Sequence, residues 1–159
     1  MAKVNQGRWT AEIEGDFVVF LIGTRLNSPR QALRWFFDIG GRRGMPHMLK
    51  HLMQHPEKGL LGFKNFGLTN VQYWRSFEHL ERYARSHEGQ HWPAWVAFNK
   101  RVRVASGDVG IWHETYRVRA GEYEAIYGAM PRMGLAMAGN YVPIGAAKDS
   151  ARARLATKD

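Results

Sequence analysis

The chain has no cysteine in its 159 residues. This excludes disulfides, thiolate metal sites and a cysteine nucleophile. No apolar run approaches the roughly 18 residues that span a bilayer, so no membrane helix is expected. Nothing at the start reads as a signal peptide, and the expected setting is cytoplasmic. Acidic residues are scarce: 14 Asp and Glu stand against 23 Lys and Arg, a formal charge of +9. A basic chain can attract nucleic acid, anionic lipid or acidic small molecules. Here the cations are scattered in pairs such as Arg42-Arg43 and Arg152/Arg154. That scatter, without zinc-finger, RRM or basic-zipper spacing, fits solvated outer faces, with neither nucleic acid nor membrane as partner. There is no Walker loop and no nucleophile elbow. The run Gly40-Gly41-Arg42-Arg43-Gly44 follows a helical pattern and lacks the Lys-Ser/Thr ending of a phosphate loop.

What is present is large apolar volume, with six Trp, six Tyr, eight Phe and seven Met. It suits one domain, read here as residues 8–140, with flexible termini at 1–7 and 145–159. Thr10 to Leu26 reads as one strand. Its centre, Phe17 to Ile22, is apolar at every position, which predicts burial of both faces. Ser28-Pro29 opens a helix over 28–39, and Pro46 starts a second piece over Met45–His55. Leu60–Phe66 and Val71–Arg75 read as a hairpin about Gly67-Leu68-Thr69-Asn70. Ser76 caps the next helix, and a further helix runs from about His91 to Val104. Val109–Val118 is a strand, and a short helix is expected at Glu122–Tyr127.

The order strand, helix, strand, strand, helix, strand is the ferredoxin-like βαββαβ plan, an α+β fold with an antiparallel sheet. Helices cover only one face of such a sheet. Leaving the other face of Phe17–Ile22 wet would forgo roughly 5–9 kcal/mol. A homodimer with the open sheet faces turned toward each other is therefore expected. The alternative cover is the Gly- and Met-rich segment after Pro131, folded back on the same chain.

Six strings carry a family resemblance: GDFVVFLIG (15–23), MLKHLMQHPEKGLLG (48–62), VQYWRSFEHLERYAR (71–85), HWPAWVAFN (91–99), GIWHETYRVRAGEYEAIYGAMP (110–131) and MGLAMAG (133–139). They resemble a monooxygenase-like family, once catalogued as a domain of unknown function and related to the antibiotic-biosynthesis monooxygenases. The resemblance implies a dimeric α+β barrel. Its wider superfamily includes cofactor-free oxygenases, haem-degrading enzymes, haem-containing aldoxime dehydratases, peroxidases and plain binding proteins, and fold does not choose among them.

The leading expectation is a small oxygenase-type oxidoreductase acting on an apolar, aromatic or polyketide-like molecule without a required cofactor. In VQYWR, Val71, Tyr73 and Arg75 share one face, and Gln72 and Trp74 the other. In GIWHETY, Ile111, His113 and Thr115 share one face, and Trp112, Glu114 and Tyr116 the other. His113 is the candidate base, with Tyr116 or Arg75 stabilising a developing oxyanion. Trp74, Trp112 and Tyr116 either wall a flat aromatic site or serve the core or a dimer interface. In the alternative, a haem enzyme of the same barrel, the resemblance implies an axial His from the helical layer. His91, nearby His87 or His113 then ligates the iron, with Trp95, Trp74 and Trp112 as pocket walls. A non-catalytic ligand-binding barrel is the third reading. His47, His51 and His55 recur every four residues on one helical stripe. With no carboxylate but Glu57 near them, they are read as a solvent-facing stripe and not a native metal site.

Overall fold

A computed structural model describes residues 3–28, 45–86 and 109–155. Its strands are β1 (Asn5–Glu12), β2 (Phe17–Leu26), β3 (Leu60–Phe66), β4 (Thr69–Trp74), β5 (Val109–Val118), β6 (Tyr127–Met130) and β7 (Asn140–Pro143). Its helices are α1 (Met45–Met53), α2 (Phe77–Arg85) and the single turn α3 (Ala151–Arg154). The helices read at 28–39 and from His91 to Val104 lie outside the described residues.

Strands β2 to β5 form one antiparallel sheet in the order β3-β4-β2-β5. This is the ferredoxin-like arrangement, with the first and third strands of the unit at the centre. Gly67 takes a positive φ of 59° at the tight β3–β4 turn, a conformation that costs glycine nothing. The hydroxyl of Ser76 accepts a bond from the His79 backbone N–H and caps α2. Val18, Leu60 and Trp74 on one sheet face meet Leu49 and Leu52 of α1 and Leu80 of α2. Trp74, Leu49 and Leu52 are fully buried, each worth roughly 1.5–3 kcal/mol relative to exposure.

Three expectations are corrected. The run from Thr10 to Leu26 is two strands in two sheets, because the chain turns at Gly15 with φ 74°. β1 pairs instead with β6 and β7 in a second, three-stranded sheet. Glu122–Tyr127 is not a helix. The Tyr123 hydroxyl accepts from the Ile13 N–H at 2.6 Å, and Thr10 Oγ1 donates to the Ala125 carbonyl at 2.8 Å. These bonds hold the segment against β1, and tertiary contact overrides local propensity. Third, the chain after Ile144 is tied down. Arg154 bonds Glu124 Oε2 at 2.8 Å and the Lys148 and Asp149 carbonyls, while Arg8 pairs with Asp149 and Lys148 with Glu12. Described elements thus run from Asn5 to Arg154, past both domain limits read from the sequence.

The face opposite α1 and α2, helix-free among the described residues, is part covered. The 3-10 turn Gly134–Met137 lies against Gly62 of β3, where a Cβ would meet the Met137 backbone at 2.9 Å. Phe17 packs edge-on against Tyr123 at 5.1 Å. Phe17 and Val18 are both buried, and Val19 to Ile22 are half-buried in the single chain. Among the described residues, no helix is long and apolar enough to cross a membrane.

Candidate functional site

Register decides which side chains meet. Directly opposed residues share a face. On the helix side three rows cross the sheet: Trp74–Val18–Arg117, Gln72–Phe20–Thr115 and Asn70–Ile22–His113. In the first row Trp74 and Val18 are core and Arg117 is exposed at the edge. The next two become polar toward the β3–β4 turn. His113 therefore lies on the helix side of the sheet, solvent-exposed on the edge strand β5, with its ring 5.6 Å from that of Phe20.

Two buried amides flank the same floor. Gln72 Oε1 accepts from Trp74 Nε1 at 2.9 Å, and its Nε2 lies 4.0 Å from Met45 Sδ. Asn70 donates through Nδ2 to Asn65 Oδ1 at 2.5 Å and to the Lys64 carbonyl at 3.4 Å. Polar groups are buried at a cost unless bonded, so amides at the centre of a sheet mark a place built for more than packing. Reading Asn70 as part of the turn hid it. Extending strand alternation back from Trp74 through Gln72 would have found it.

The other sequence-read residues separate. Tyr116 and Trp112 lie on the helix-free face, where Tyr116 donates to Glu114 Oε2 at 2.6 Å. That bond to a carboxylate, with the negative charge behind it, raises the Tyr116 pKa above that of an ordinary phenol. Arg75 sits beyond Trp74, which pairs with Val18, four residues along β2 from Ile22 and His113. At 3.3–3.4 Å per residue that is at least about 13 Å. His113, Tyr116 and Arg75 thus do not form one site within a chain, because strand alternation splits the first two and strand length removes the third. Trp74 and Trp112 are likewise on opposite faces, and Trp74 is core. His87, His91 and Trp95 lie outside the described residues.

Arg75 borders a separate cavity of about 540 Å³ at the α2 end of the sheet, with Arg117 and Arg119. Asp16, Glu78 and Glu122 face the same space, so its charges balance and it has no built-in preference for an anion. In the His stripe, the His51 and His55 rings lie 4.4 Å apart, His51 Nε2 is 3.2 Å from Lys58 Nζ, and His55 contacts Glu57 at 3.1 Å. Partial desolvation and then Lys58 hold the His51 pKa below the usual imidazole value. Among the described residues no group of three or more His, Asp or Glu is arranged to hold a metal ion.

The family model described as Monooxygenase af470-like matches residues 17–135. Monooxygenase af470 of Aspergillus fumigatus is 28% identical over 148 residues, covering 80% of this chain and 52% of that protein. The chain thus spans about half the length of this relative. Among solved structures, an aldoxime dehydratase has the same fold with a TM-score of 0.58 at 20% identity, over 90% of this chain and 43% of that one. An aldoxime dehydratase in complex with butyraldoxime gives 0.49 at 14% identity, over 97% and 44%.

Proposed function

The chain belongs to the monooxygenase af470-like family, and from that premise we propose that it is an oxygenase-type oxidoreductase whose pocket lies on the helix-facing floor of the sheet. Its substrate is an apolar, aromatic or polyketide-like small molecule, and its setting is the cytoplasm. The observation that carries this reading is the placement of His113 on that floor, beside Phe20 and across Ile22 from buried Asn70. His113 acts as a base on an electron-rich substrate. The deprotonated substrate passes one electron to dioxygen, with the apolar side chains of Phe20 and Ile22 beneath the resulting pair. Dioxygen uptake tests this, using hydroxylated naphthalenes and anthracenes with the wild type and His113→Ala.

A second reading, a haem enzyme, draws on the fold shared with aldoxime dehydratase and on the haem-containing members that the sequence resemblance implies. The described residues fit a haem in one respect: His113 presents an imidazole on a partly apolar floor with Phe20 and Ile22. It would hold the iron, and the bound group would supply redox and Lewis-acid chemistry. A Soret band after expression with added haem supports this reading, and its absence after haem titration removes it.

Two copies complete the proposed enzyme. The helix-free face leaves Trp112 39%, Phe66 50% and Tyr116 51% exposed, next to half-buried Leu21 and Val19. Aromatic residues in such number on one face suit an interface core, and we assign this half of the face to a second copy of the chain.

A further inference from the structure

Asn70 carries an unfilled hydrogen-bond acceptor. The residue is 5% exposed, and its Oδ1 is buried with no partner. Nδ2 faces the Lys64 carbonyl at 3.4 Å and Asn65 Oδ1 at 2.5 Å, which assigns the donor side of the amide to β3. With Nδ2 turned to β3, the Oδ1 arm diverges from that strand. A buried acceptor left unpaired costs about 1–3 kcal/mol. Nearly all buried polar groups in native proteins have a partner, so an orphan calls for a reason.

The row in which Asn70 stands supplies one. Asn70 and His113 are the two register partners of Ile22, on the same face and on either side of β2. Strands lie 4.7–4.9 Å apart, so the two residues stand about 10 Å from each other. That is the span of a two- or three-ring aromatic lying across Ile22. At one side of this span is an acceptor without a donor. At the other is an imidazole that can take or give a proton.

We propose that Asn70 recognises a hydrogen-bond donor on the ligand, a flat apolar molecule bearing a hydroxyl or N–H, bound with that donor on Asn70 Oδ1 and its far edge at His113. The inference rests on the floor being the pocket. It adds a specificity element: the site selects molecules that carry a donor and rejects those in which it is capped. Sites built around one hydrogen bond discriminate in this way, because the analogue leaves the buried group unpaired.

Two probes of nearly equal shape test it, 2-naphthol and 2-methoxynaphthalene, with binding followed by calorimetry on the full chain. The wild type is expected to bind 2-naphthol about tenfold or more tighter than its methyl ether. Asn70→Leu is expected to bring 2-naphthol down to the level of the ether and leave the ether unchanged. Asn70→Gln, which keeps both the acceptor and the donor of the amide, is expected to keep the preference. Circular dichroism checks that the variants fold. If Asn70→Leu does not, the wild-type pair and Asn70→Gln decide. Equal affinity of the two probes, binding of neither, or a preference that survives in Asn70→Leu overturns the inference. A donor preference without dioxygen uptake would keep the recognition element and remove the oxygenase reading. Uptake without a donor preference would do the reverse.

Discussion

The indole of Trp112 lies flat on Gly23. The two residues are register partners on β5 and β2, and a Cβ built on Gly23 would stand 2.5 Å from Trp112 Cε2. Glycine is there because the ring occupies the space of a side chain. Gly23→Ala is expected to push the ring off the sheet and cost about 1–3 kcal/mol. Urea unfolding, with the tryptophan emission of the native state, reads both effects. An alanine variant with unchanged midpoint and spectrum would show that the ring moves freely.

The same ring belongs to the proposed dimer face. Sedimentation equilibrium at low micromolar concentration is expected to show a dimer for the wild type. Trp112→Asp, which places a charge at the centre of the patch, is expected to shift it to a species near the 18.2 kDa of one chain. A stable, unaggregated wild-type monomer would remove the interface. The turn Gly134–Met137 would then be the cover that this face has.

One guanidinium gathers several of the contacts that hold residues 146–155. The Arg154 side chain is 6% exposed and serves Glu124 and two backbone carbonyls. Arg154→Ala leaves these acceptors unpaired and is expected to cost about 1–3 kcal/mol. Hydrogen exchange should quicken over residues 146–155 and spare β4. Unchanged exchange there would mean that the segment is held by other contacts.

Burial raises the phenol pKa of Tyr73 and of Tyr83 to about 12, from an ordinary value of 10.0. The unfolded chain loses these protons near pH 10 and the folded chain does not. Their contribution is therefore complete below about pH 10 and is lost as pH rises toward about 12. Unfolding midpoints measured across that window should fall, and Tyr83→Phe should make the fall shallower. An equal slope in the variant would show that other groups set the alkaline limit.

Much of this fold was legible because its signals are local. β3 and β5 have the limits read from Leu60–Phe66 and Val109–Val118, and Ser76 caps α2 as its position predicts. The failures lie where distant partners decide. Nothing near Thr10–Leu26 shows that β1 leaves for another sheet with β6 and β7. Glu122–Tyr127 has a helical pattern, but Tyr123 is bound to Ile13. The candidate site was half legible. Alternation put His113 opposite Tyr116 without saying which faces the helices, since that depends on which side of Val18 and Trp74 receives α1 and α2. Asn70 was hidden because it looks like a turn residue and is a strand residue.

Dioxygen uptake by the purified chain with hydroxylated naphthalenes and anthracenes tests the central claim, that chemistry occurs on the helix-facing floor at His113. The account predicts uptake that falls about 100-fold or more in His113→Ala, the scale of a lost general base. It predicts little change in Tyr116→Phe, whose ring is on the other face. Undiminished uptake in a folded His113→Ala protein, or an equal loss in Tyr116→Phe, would contradict it.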